Sequence, residues 1–218
     1  MAIKYYKAVQ EFRYAEEGDP LAPQTLFLLH GYKQLAPRFI KKFHALTIAG
    51  LHLVAPEGSH RFYISGSQGH VGASWMTKED REVDIENYVN MLDACFSQVM
   101  EKKQNLGDTV VLGFSQGAAT AVRWLVKGKI KPTSLVLWAG SLPRDMKLQS
   151  MKEALVGVNL FILTGDEDEI LTQEHIVNAK DWLDELDVQY QWIQYKGGHS
   201  ITQDGLNQLQ KKLKITGI

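Results

Sequence analysis

Residues 110–122, VVLGFSQGAATAV, pass within one step from a β-branched, apolar run to a run of small residues. Ser115 stands at the junction, between Gly113 and Gly117, in the order G-F-S-Q-G. This order fits the G-x-S-x-G pattern, in which a serine sits on a sharp turn between a buried strand and a helix. Glycine suits both flanking positions because a larger side chain would clash where strand and helix meet. The stretch therefore predicts a nucleophile elbow, which requires a base, an acid and an oxyanion hole elsewhere in the chain.

Short apolar runs alternate with amphipathic stretches along the chain, which predicts an α/β fold with a doubly wound, mostly parallel sheet. Most runs are apolar on both faces, as expected for strands buried between two helical layers. Residues 3–18 alternate more like an antiparallel edge pair. The predicted strands of the parallel sheet are 24–30, 51–57, 108–114, 133–140, 158–165 and 188–197.

Helical spacing of apolar residues separates these strands. Thr77 followed by Asp80 predicts a capping-box-like start for the longest helix. Residues 58–76 stand apart as an irregular segment rich in glycine and serine, with interleaved aromatic residues. The predicted helices are 37–50, 81–103, 116–128, 150–157, 174–186 and 205–214.

The length and composition predict one soluble domain that spans residues 1–218. The 24 lysines and arginines nearly balance the 25 acidic residues, and no basic stripe is visible, which argues against a nucleic-acid partner. The single cysteine, Cys95, cannot form an internal disulfide and lies in a helical apolar pattern, so a buried small side chain is expected. A cytoplasmic protein is therefore predicted. The N-terminus lacks the apolar core of a signal peptide, and no apolar run is long enough for a membrane span.

The predicted acid follows the strand 158–165, because the order along the chain in this type of fold is nucleophile, acid, base. Asp166, Glu167 and Asp168 all follow that strand. Asp168 is preferred because three residues past the strand-ending Gly165 allow a turn back toward the elbow. Asp166 is the alternative.

The predicted base is His199, which follows the last strand in the sequence YKGGHSI. The two preceding glycines let the backbone present a side chain on a short loop. His175 is the other histidine beyond the acid, but it lies within an amphipathic helix pattern. A base is needed because a serine hydroxyl is a poor nucleophile until a neighbour takes its proton.

The predicted oxyanion hole consists of two backbone N–H groups. One belongs to Gln116, directly after the nucleophile, at a helix N-terminus where N–H groups are unpaired. The second belongs to Tyr32, in the loop after the early strand, where Gly31 gives the backbone freedom. His30 precedes that glycine and is expected to buttress the loop rather than act as a base.

No metal site and no cofactor are predicted. His52, His60 and His70 share a region but lack paired or helical spacing, and no cysteine partners them. The chain has no P-loop lysine motif and no G-x-G-x-x-G after its first strand, so no nucleotide cofactor is indicated.

Four motifs, LLHGY, GFSQGAA, TGDEDEI and GGHSI, resemble in order and spacing the phospholipase/carboxylesterase family of α/β-hydrolases. That family includes acyl-protein thioesterases and small bacterial carboxylesterases, and the likeness spans nearly the whole chain. The resemblance implies that Ser115 is the nucleophile, Asp168 the acid and His199 the base. It also implies that the N–H groups of Tyr32 and Gln116 are the oxyanion donors.

Two positions depart from the family pattern. The family usually continues its His-Gly turn with a glycine–aspartate pair, whereas this chain has HGYKQLAPRF at residues 30–39. It also commonly has histidine before the glycine of the acid loop, where this chain has Thr164. Both positions lie near the acyl pocket or beside the predicted triad, so they bear on the substrate rather than on the reaction class.

The leading hypothesis is a serine hydrolase that cleaves small-molecule carboxylic esters or thioesters of short to medium acyl chains through an acyl-enzyme. The alternatives are a non-catalytic ligand-binding protein on the same fold, and a lysophospholipase, lipase or peptidase. No lid domain is expected, because the stretch 139–155 runs almost at once into the next helix. No integral membrane association is expected, and a homodimer stays open.

The substrate groove is expected to lie between the segment 58–76 and the loop after the strand 133–140. Trp75 and Leu142 are the predicted substrate-binding residues. Phe62, Tyr63 and Met146 are further candidates on the two walls. Ordinary packing against the sheet is the alternative for each of these side chains.

Overall fold

A seven-stranded sheet forms the centre of the protein in the computed structural model, which describes residues 1–48, 50–103 and 107–213. Two further strands form a separate hairpin. The strands of the main sheet are β1 (Tyr14–Glu17), β2 (Gln24–Leu29), β3 (His52–Pro56), β6 (Asp108–Phe114), β7 (Ser134–Trp138), β8 (Asn159–Gly165) and β9 (Tyr190–Tyr195), and those of the hairpin are β4 (His60–Tyr63) and β5 (Val71–Ser74).

The order in the main sheet is β1-β3-β2-β6-β7-β8-β9, and all neighbours are parallel except β1 and β3. The four neighbouring strands β2, β6, β7 and β8 are buried over nearly their whole length, because helices cover both faces of the sheet. The predicted architecture, a doubly wound, mostly parallel α/β sheet with an antiparallel N-terminal edge, is confirmed.

Helices pack on both faces of the sheet and enclose two apolar cores. The helices are α1 (Ala36–Phe39), a 3₁₀ turn (Ile40–Phe43), α2 (His44–Ile48), α3 (Arg81–Met100), α4 (Gln116–Lys127), α5 (Leu148–Leu155), α6 (Gln173–Leu186) and α7 (Gln203–Lys212). Helices α3 to α6 cover one face of the sheet, while α1, α2 and α7 cover the other.

The N-terminal edge consists of one strand rather than the predicted pair. β1 pairs with β3, whereas residues 1–13 belong to no strand and are exposed. Their alternating apolar side chains, such as Ile3 and Val9, face solvent instead of a core, so alternation there does not mark a buried sheet face.

The segment 58–76, predicted to be irregular, contains the β4–β5 hairpin. His60 pairs with Ser74, and Tyr63 pairs with Val71. The turn between the strands contains Gly66 and Gly69 with positive φ, a conformation that suits glycine. The many glycines and serines conceal the alternation that would otherwise indicate two strands.

The predicted capping box of α3 is absent. The helix begins at Arg81, and Asp80 precedes it in a left-handed conformation without a side-chain cap. Thr77 instead donates its N–H to the carboxylate of Asp84 at 3.1 Å. The last predicted residue of the final helix, Lys214, and Ala49 in the first lie outside the described residues.

Residues 139–147 connect β7 directly to α5, so no lid domain is inserted at this connection. Among the helices of the described residues, none has both the length and the apolar character that crossing a membrane requires.

Candidate active site

Ser115 lies on a strained turn between β6 and α4. Its φ of 54° and ψ of −115° place an L-residue in a sparsely populated backbone region. The turn is held by backbone hydrogen bonds, because Ser115 donates its N–H to the carbonyl of Trp138 and accepts from the N–H of Ala118. Strain of this kind persists only where the surroundings over-determine it.

The two glycines that flank the serine have no room for a side chain. A Cβ on Gly113 would lie 2.2 Å from the carbonyl oxygen of Gly117, and a Cβ on Gly117 would lie 2.1 Å from that of Leu29. Both obstacles are backbone atoms, which cannot move aside cheaply. The glycines therefore let β2, β6 and α4 approach closely at the serine.

A hydrogen-bonded line joins the three residues that the sequence singles out. Ser115 Oγ lies 2.9 Å from His199 Nε2. His199 Nδ1 lies 2.9 Å and 3.2 Å from the two carboxylate oxygens of Asp168. A carboxylate only accepts, so Nδ1 carries the proton, and Nε2 is free to accept from the serine hydroxyl.

Asp168 is fixed by its own loop. Its Oδ1 accepts backbone N–H groups from Ile170 at 2.9 Å and Leu171 at 2.8 Å. The carboxylate has no exposed surface, whereas 16% of the His199 side chain is exposed. The acid is thus shielded, and the imidazole keeps one side open to a ligand.

The alternative acid and the alternative base lie in other contacts. Asp166 accepts the N–H of Gly197 at 2.8 Å and so shapes the loop before His199. His175 lies in the first turn of α6 and bonds with Thr172 at the helix start. Thr164, at the position where the family commonly has histidine, accepts the indole N–H of Trp192 at 3.0 Å.

The loop after β2 lies directly against the serine. A Cβ on Gly31 would be 3.2 Å from Ser115 Cβ and 2.9 Å from the ring of Phe114. In the described part of the chain, the N–H groups of Tyr32 and Gln116 have no hydrogen-bond acceptor. Two free donors beside the serine are the chemistry that an oxyanion hole needs.

The side chain of Gln116 anchors the start of α4 to the end of β5. Its Oε1 accepts the N–H of Trp75 at 3.2 Å. Its Nε2 donates to the hydroxyl of Ser74 at 3.0 Å and to the carbonyl of Met76 at 3.1 Å. The N–H group of Gln116 is thereby held in one place by its own side chain.

His30 is buried and neutral, and it supports the loop as predicted. Its Nε2 accepts the N–H of Gly58 at 2.9 Å, so the proton is on Nδ1, which donates to the carbonyl of Gly31 at 2.8 Å. Burial lowers the pKa of His30 to about 4, because the charged imidazolium would be desolvated.

Trp75, one of the two predicted substrate-binding residues, is completely buried. Its indole stacks on the ring of His30, with centroids 4.8 Å apart, and donates to the carbonyl of His30 at 2.8 Å. The predicted contact between Trp75 and the acyl group is therefore corrected: Trp75 packs beneath the loop after β2.

Leu142 is 5% exposed and belongs to the same apolar core. Its predicted place on the groove wall is likewise replaced by core packing. Near the site, the exposed ring of Tyr32 stacks on the half-buried ring of Phe62, with centroids 5.4 Å apart. Phe62 is among the residues predicted for the groove wall, whereas the ring of Tyr32 is not, because the stack joins two segments that are distant in the sequence.

No group of three or more histidine, cysteine, aspartate or glutamate side chains within residues 1–48, 50–103 and 107–213 is arranged to hold a metal ion.

Comparison with known proteins gives one family match and many structural matches. The family model for Phospholipase/Carboxylesterase matches residues 14–217. No curated protein matches the sequence.

The structural matches include esterase PE8, with a TM-score of 0.71 and 21% identity over 94% of this chain and 99% of that one. Acyl-protein thioesterase 2 of Zea mays matches with a TM-score of 0.69 and 18% identity, over 93% of this chain and 97% of that one. The carboxylesterase of Bacillus cereus matches with a TM-score of 0.69 and 16% identity, over 94% and 95%. At these identities the structural matches show a shared fold.

Proposed function

The chain belongs to the phospholipase/carboxylesterase family of α/β-hydrolase enzymes, and on that premise we propose that it is a serine hydrolase that cleaves carboxylic esters or thioesters of short to medium acyl chains. The observation that carries the proposal is the hydrogen-bonded line from Ser115 through His199 to Asp168. In this proposal a small-molecule ester or thioester is the substrate.

In the proposed mechanism, His199 Nε2 accepts the hydroxyl proton of Ser115 while the serine oxygen attacks the substrate carbonyl. Asp168 holds the imidazole in the required tautomer and stabilises the imidazolium that forms. The backbone N–H groups of Tyr32 and Gln116 stabilise the negative oxygen of the tetrahedral intermediate.

The intermediate then collapses to an acyl-enzyme. The bond to the leaving alcohol or thiol breaks, and His199 returns the proton to that leaving group. A water molecule next gives a proton to His199 while its oxygen attacks the acyl carbonyl. The bond between the acyl carbon and Ser115 Oγ then breaks, and His199 returns the proton to Oγ, which releases the carboxylic acid and restores the hydroxyl.

The openness of the site supports soluble substrates of modest size. The nine residues from 139 to 147 lead straight into α5 and place no lid over the serine. A lipase that acts on insoluble lipid would favour a covering lid and a large apolar surface.

Labelling with a fluorophosphonate probe tests the proposal. We expect the wild-type protein to be labelled, Ser115→Ala to remain unlabelled, and Ser97→Ala, on the exposed face of α3, to be labelled like the wild type. A panel of p-nitrophenyl esters and acyl thioesters of increasing length then gives the acyl preference. A folded wild-type protein that is neither labelled nor active would show that the non-catalytic alternative is correct.

A further inference from the structure

Charge is distributed unevenly along the sequence. Between Pro20 and Lys78, six lysines and arginines accompany one carboxylate, Glu57. The remainder of the chain holds 18 basic and 24 acidic residues. We call residues 20–78 the basic segment. It contributes β2, the loop of residues 30–35 that contains the proposed donor Tyr32 (the oxyanion loop), α1, α2, β3 and the β4–β5 hairpin. The oxyanion loop lies against Ser115, and the end of the hairpin is hydrogen-bonded to Gln116.

The single carboxylate of the basic segment is already neutralised. Glu57 is buried and forms ion pairs with Arg13 at 2.7 Å and with Arg61 at 3.2 Å. Two guanidinium groups therefore accompany one carboxylate at this point. Glu57 has no charge left to offset the other cations of the segment.

Acidic residues of β1 contact the basic segment near the amino-terminal ends of the parallel strands. Glu16 bonds to His52, the first residue of β3, and Glu17 bonds to His44. Ser115 follows the carboxyl end of β6, and because β2, β3 and β6 are parallel, it lies at the opposite end of these strands. These carboxylates are therefore remote from the serine.

Lys33 is the cation of the basic segment that stands in the oxyanion loop itself. It follows Tyr32, and Gly31 of the same turn lies against Ser115. Its ammonium lies 5.4 Å from the centroid of the Tyr32 ring, the exposed ring that stacks on Phe62. In the part of the chain that the structure describes, no carboxylate lies within ion-pair distance of Lys33.

The backbone of Lys33 is strained and firmly held. Its φ of 67° lies in the left-handed region that favours glycine. Lys33 donates its N–H to Ala73 at 2.9 Å, and Ala73 donates to Gln34 at 3.1 Å. A glycine would avoid the strain, whereas the lysine adds a positive charge at this point of the loop.

We propose, resting on the proposed function, that Lys33 makes this enzyme select esters or thioesters that carry an anionic group, a carboxylate or a phosphate, close to the scissile bond. The ammonium attracts the anion, and the Tyr32–Phe62 stack packs against the apolar part that joins the anion to the carbonyl.

Two matched pairs of substrates test the proposal and locate the anion. In the first pair the acyl group differs: the p-nitrophenyl monoester of adipic acid is compared with p-nitrophenyl hexanoate. In the second pair the leaving group differs: 4-carboxyphenyl butyrate is compared with 4-carbamoylphenyl butyrate. For each pair we define the selectivity as kcat/KM for the anionic ester divided by kcat/KM for the neutral one. Selectivity above one in the first pair places the anion on the acyl side, and in the second pair on the leaving-group side.

The test variant is Lys33→Asn, because asparagine tolerates the left-handed conformation but carries no charge. We expect it to lower the selectivity about threefold to tenfold, as for a partly exposed ion pair. Lys33→Arg keeps the charge and should retain most of the selectivity. Lys131→Asn makes the same charge change just before β7, at the amino-terminal edge of the sheet, and should leave the selectivity as in the wild type.

Salt provides a measurement that does not depend on any variant. Raising the ionic strength from about 0.02 M to about 0.5 M should lower the wild-type selectivity, because exposed charges are screened. It should change the selectivity of Lys33→Asn much less.

The failure of this inference and that of the proposed function give different results. Wild-type turnover of the neutral esters with a selectivity near one in both pairs, or a selectivity that Lys33→Asn leaves unchanged, overturns the inference alone. No turnover of any ester together with no fluorophosphonate labelling at Ser115 overturns the proposed function and this inference with it.

Discussion

Trp75 and His30 form a buried pair in which the indole N–H donates to the His30 carbonyl while the two rings stack. The pair joins the end of β5 to the loop after β2, beneath the two free N–H donors. Because both nitrogens of His30 are also hydrogen-bonded, the position of Gly31 and Tyr32 depends on a neutral imidazole. Two histidines thus have different roles at this site, one beside the serine and one below the loop.

Acidification should weaken the fold through His30. Its pKa is about 4 in the folded protein and about 6.5 in the unfolded chain. Between these values the unfolded chain binds a proton that the folded protein does not, so stability falls as the pH drops from about 6.5 to about 4. By pH 5 this one group should cost about 2 kcal/mol of unfolding free energy. Burial lowers the pKa of His52 too, which acts in the same direction.

Urea unfolding at pH 7 and pH 5 measures this effect. His30→Gln should be less stable than the wild type at pH 7 but should lose less stability between the two values. His70→Gln, which removes an exposed histidine of the hairpin, should show the wild-type loss. An equal loss in the wild type and His30→Gln would contradict the assignment.

Asp168→Asn should lower kcat about 10⁴-fold, by comparison with other triads. The amide can donate to His199 Nδ1, which favours the tautomer with the proton on Nε2. That tautomer cannot accept the proton of Ser115. The measurement is kcat on p-nitrophenyl butyrate, with circular dichroism to show that the variant is folded.

The matched control for that variant is Asp166→Asn, two residues earlier in the same loop. Its amide oxygen can still accept the N–H of Gly197, so activity should stay within a few fold of the wild type. A larger loss of activity in Asp166→Asn than in Asp168→Asn would make Asp166 the acid.

Gly117→Ala should destabilise the protein by about 3 kcal/mol or more, because the added methyl group meets the carbonyl oxygens of Leu29 and His30. Gly66→Ala provides the comparison. Gly66 has positive φ but open space around it, so only backbone strain of about 1–2 kcal/mol is expected. Thermal unfolding of both variants separates the steric clash from the strain, and equal effects would argue against close packing at the elbow.

Gln116→Ala should reduce kcat about tenfold while leaving the backbone donor in place. The change removes the side chain that ties α4 to β5 and leaves the N–H of Trp75 without its acceptor, which costs about 1–3 kcal/mol. Steady-state kinetics and thermal unfolding measure the two effects. Gln191→Ala, an exposed change on β9, should alter neither, and wild-type kinetics in Gln116→Ala would show that the anchor is dispensable.

The sequence predicts the sheet well because its strands are short apolar runs that periodicity detects. It also predicts which side chains should meet at the serine. In a parallel sheet the loops after β6, β8 and β9 emerge at one edge, so the order of Ser115, Asp168 and His199 along the chain restricts the choice strongly.

Contacts between distant segments could not be predicted in this way. Trp75 resembles any aromatic residue of a glycine-rich loop until its indole is seen to meet the carbonyl of His30, 45 residues away. The stack of Tyr32 on Phe62 and the left-handed backbone of Lys33 likewise depend on the hairpin lying against the oxyanion loop. Local periodicity contains no information about either.

The basic segment carries a formal charge of +5 and the remainder of the chain carries −6. The formal net charge of −1 is therefore the small difference between two larger and opposite charges. An anionic group of a substrate bound beside Lys33 would meet the positive part of this distribution. Added salt screens both charges, so a selectivity that depends on the positive segment should fall as the ionic strength rises.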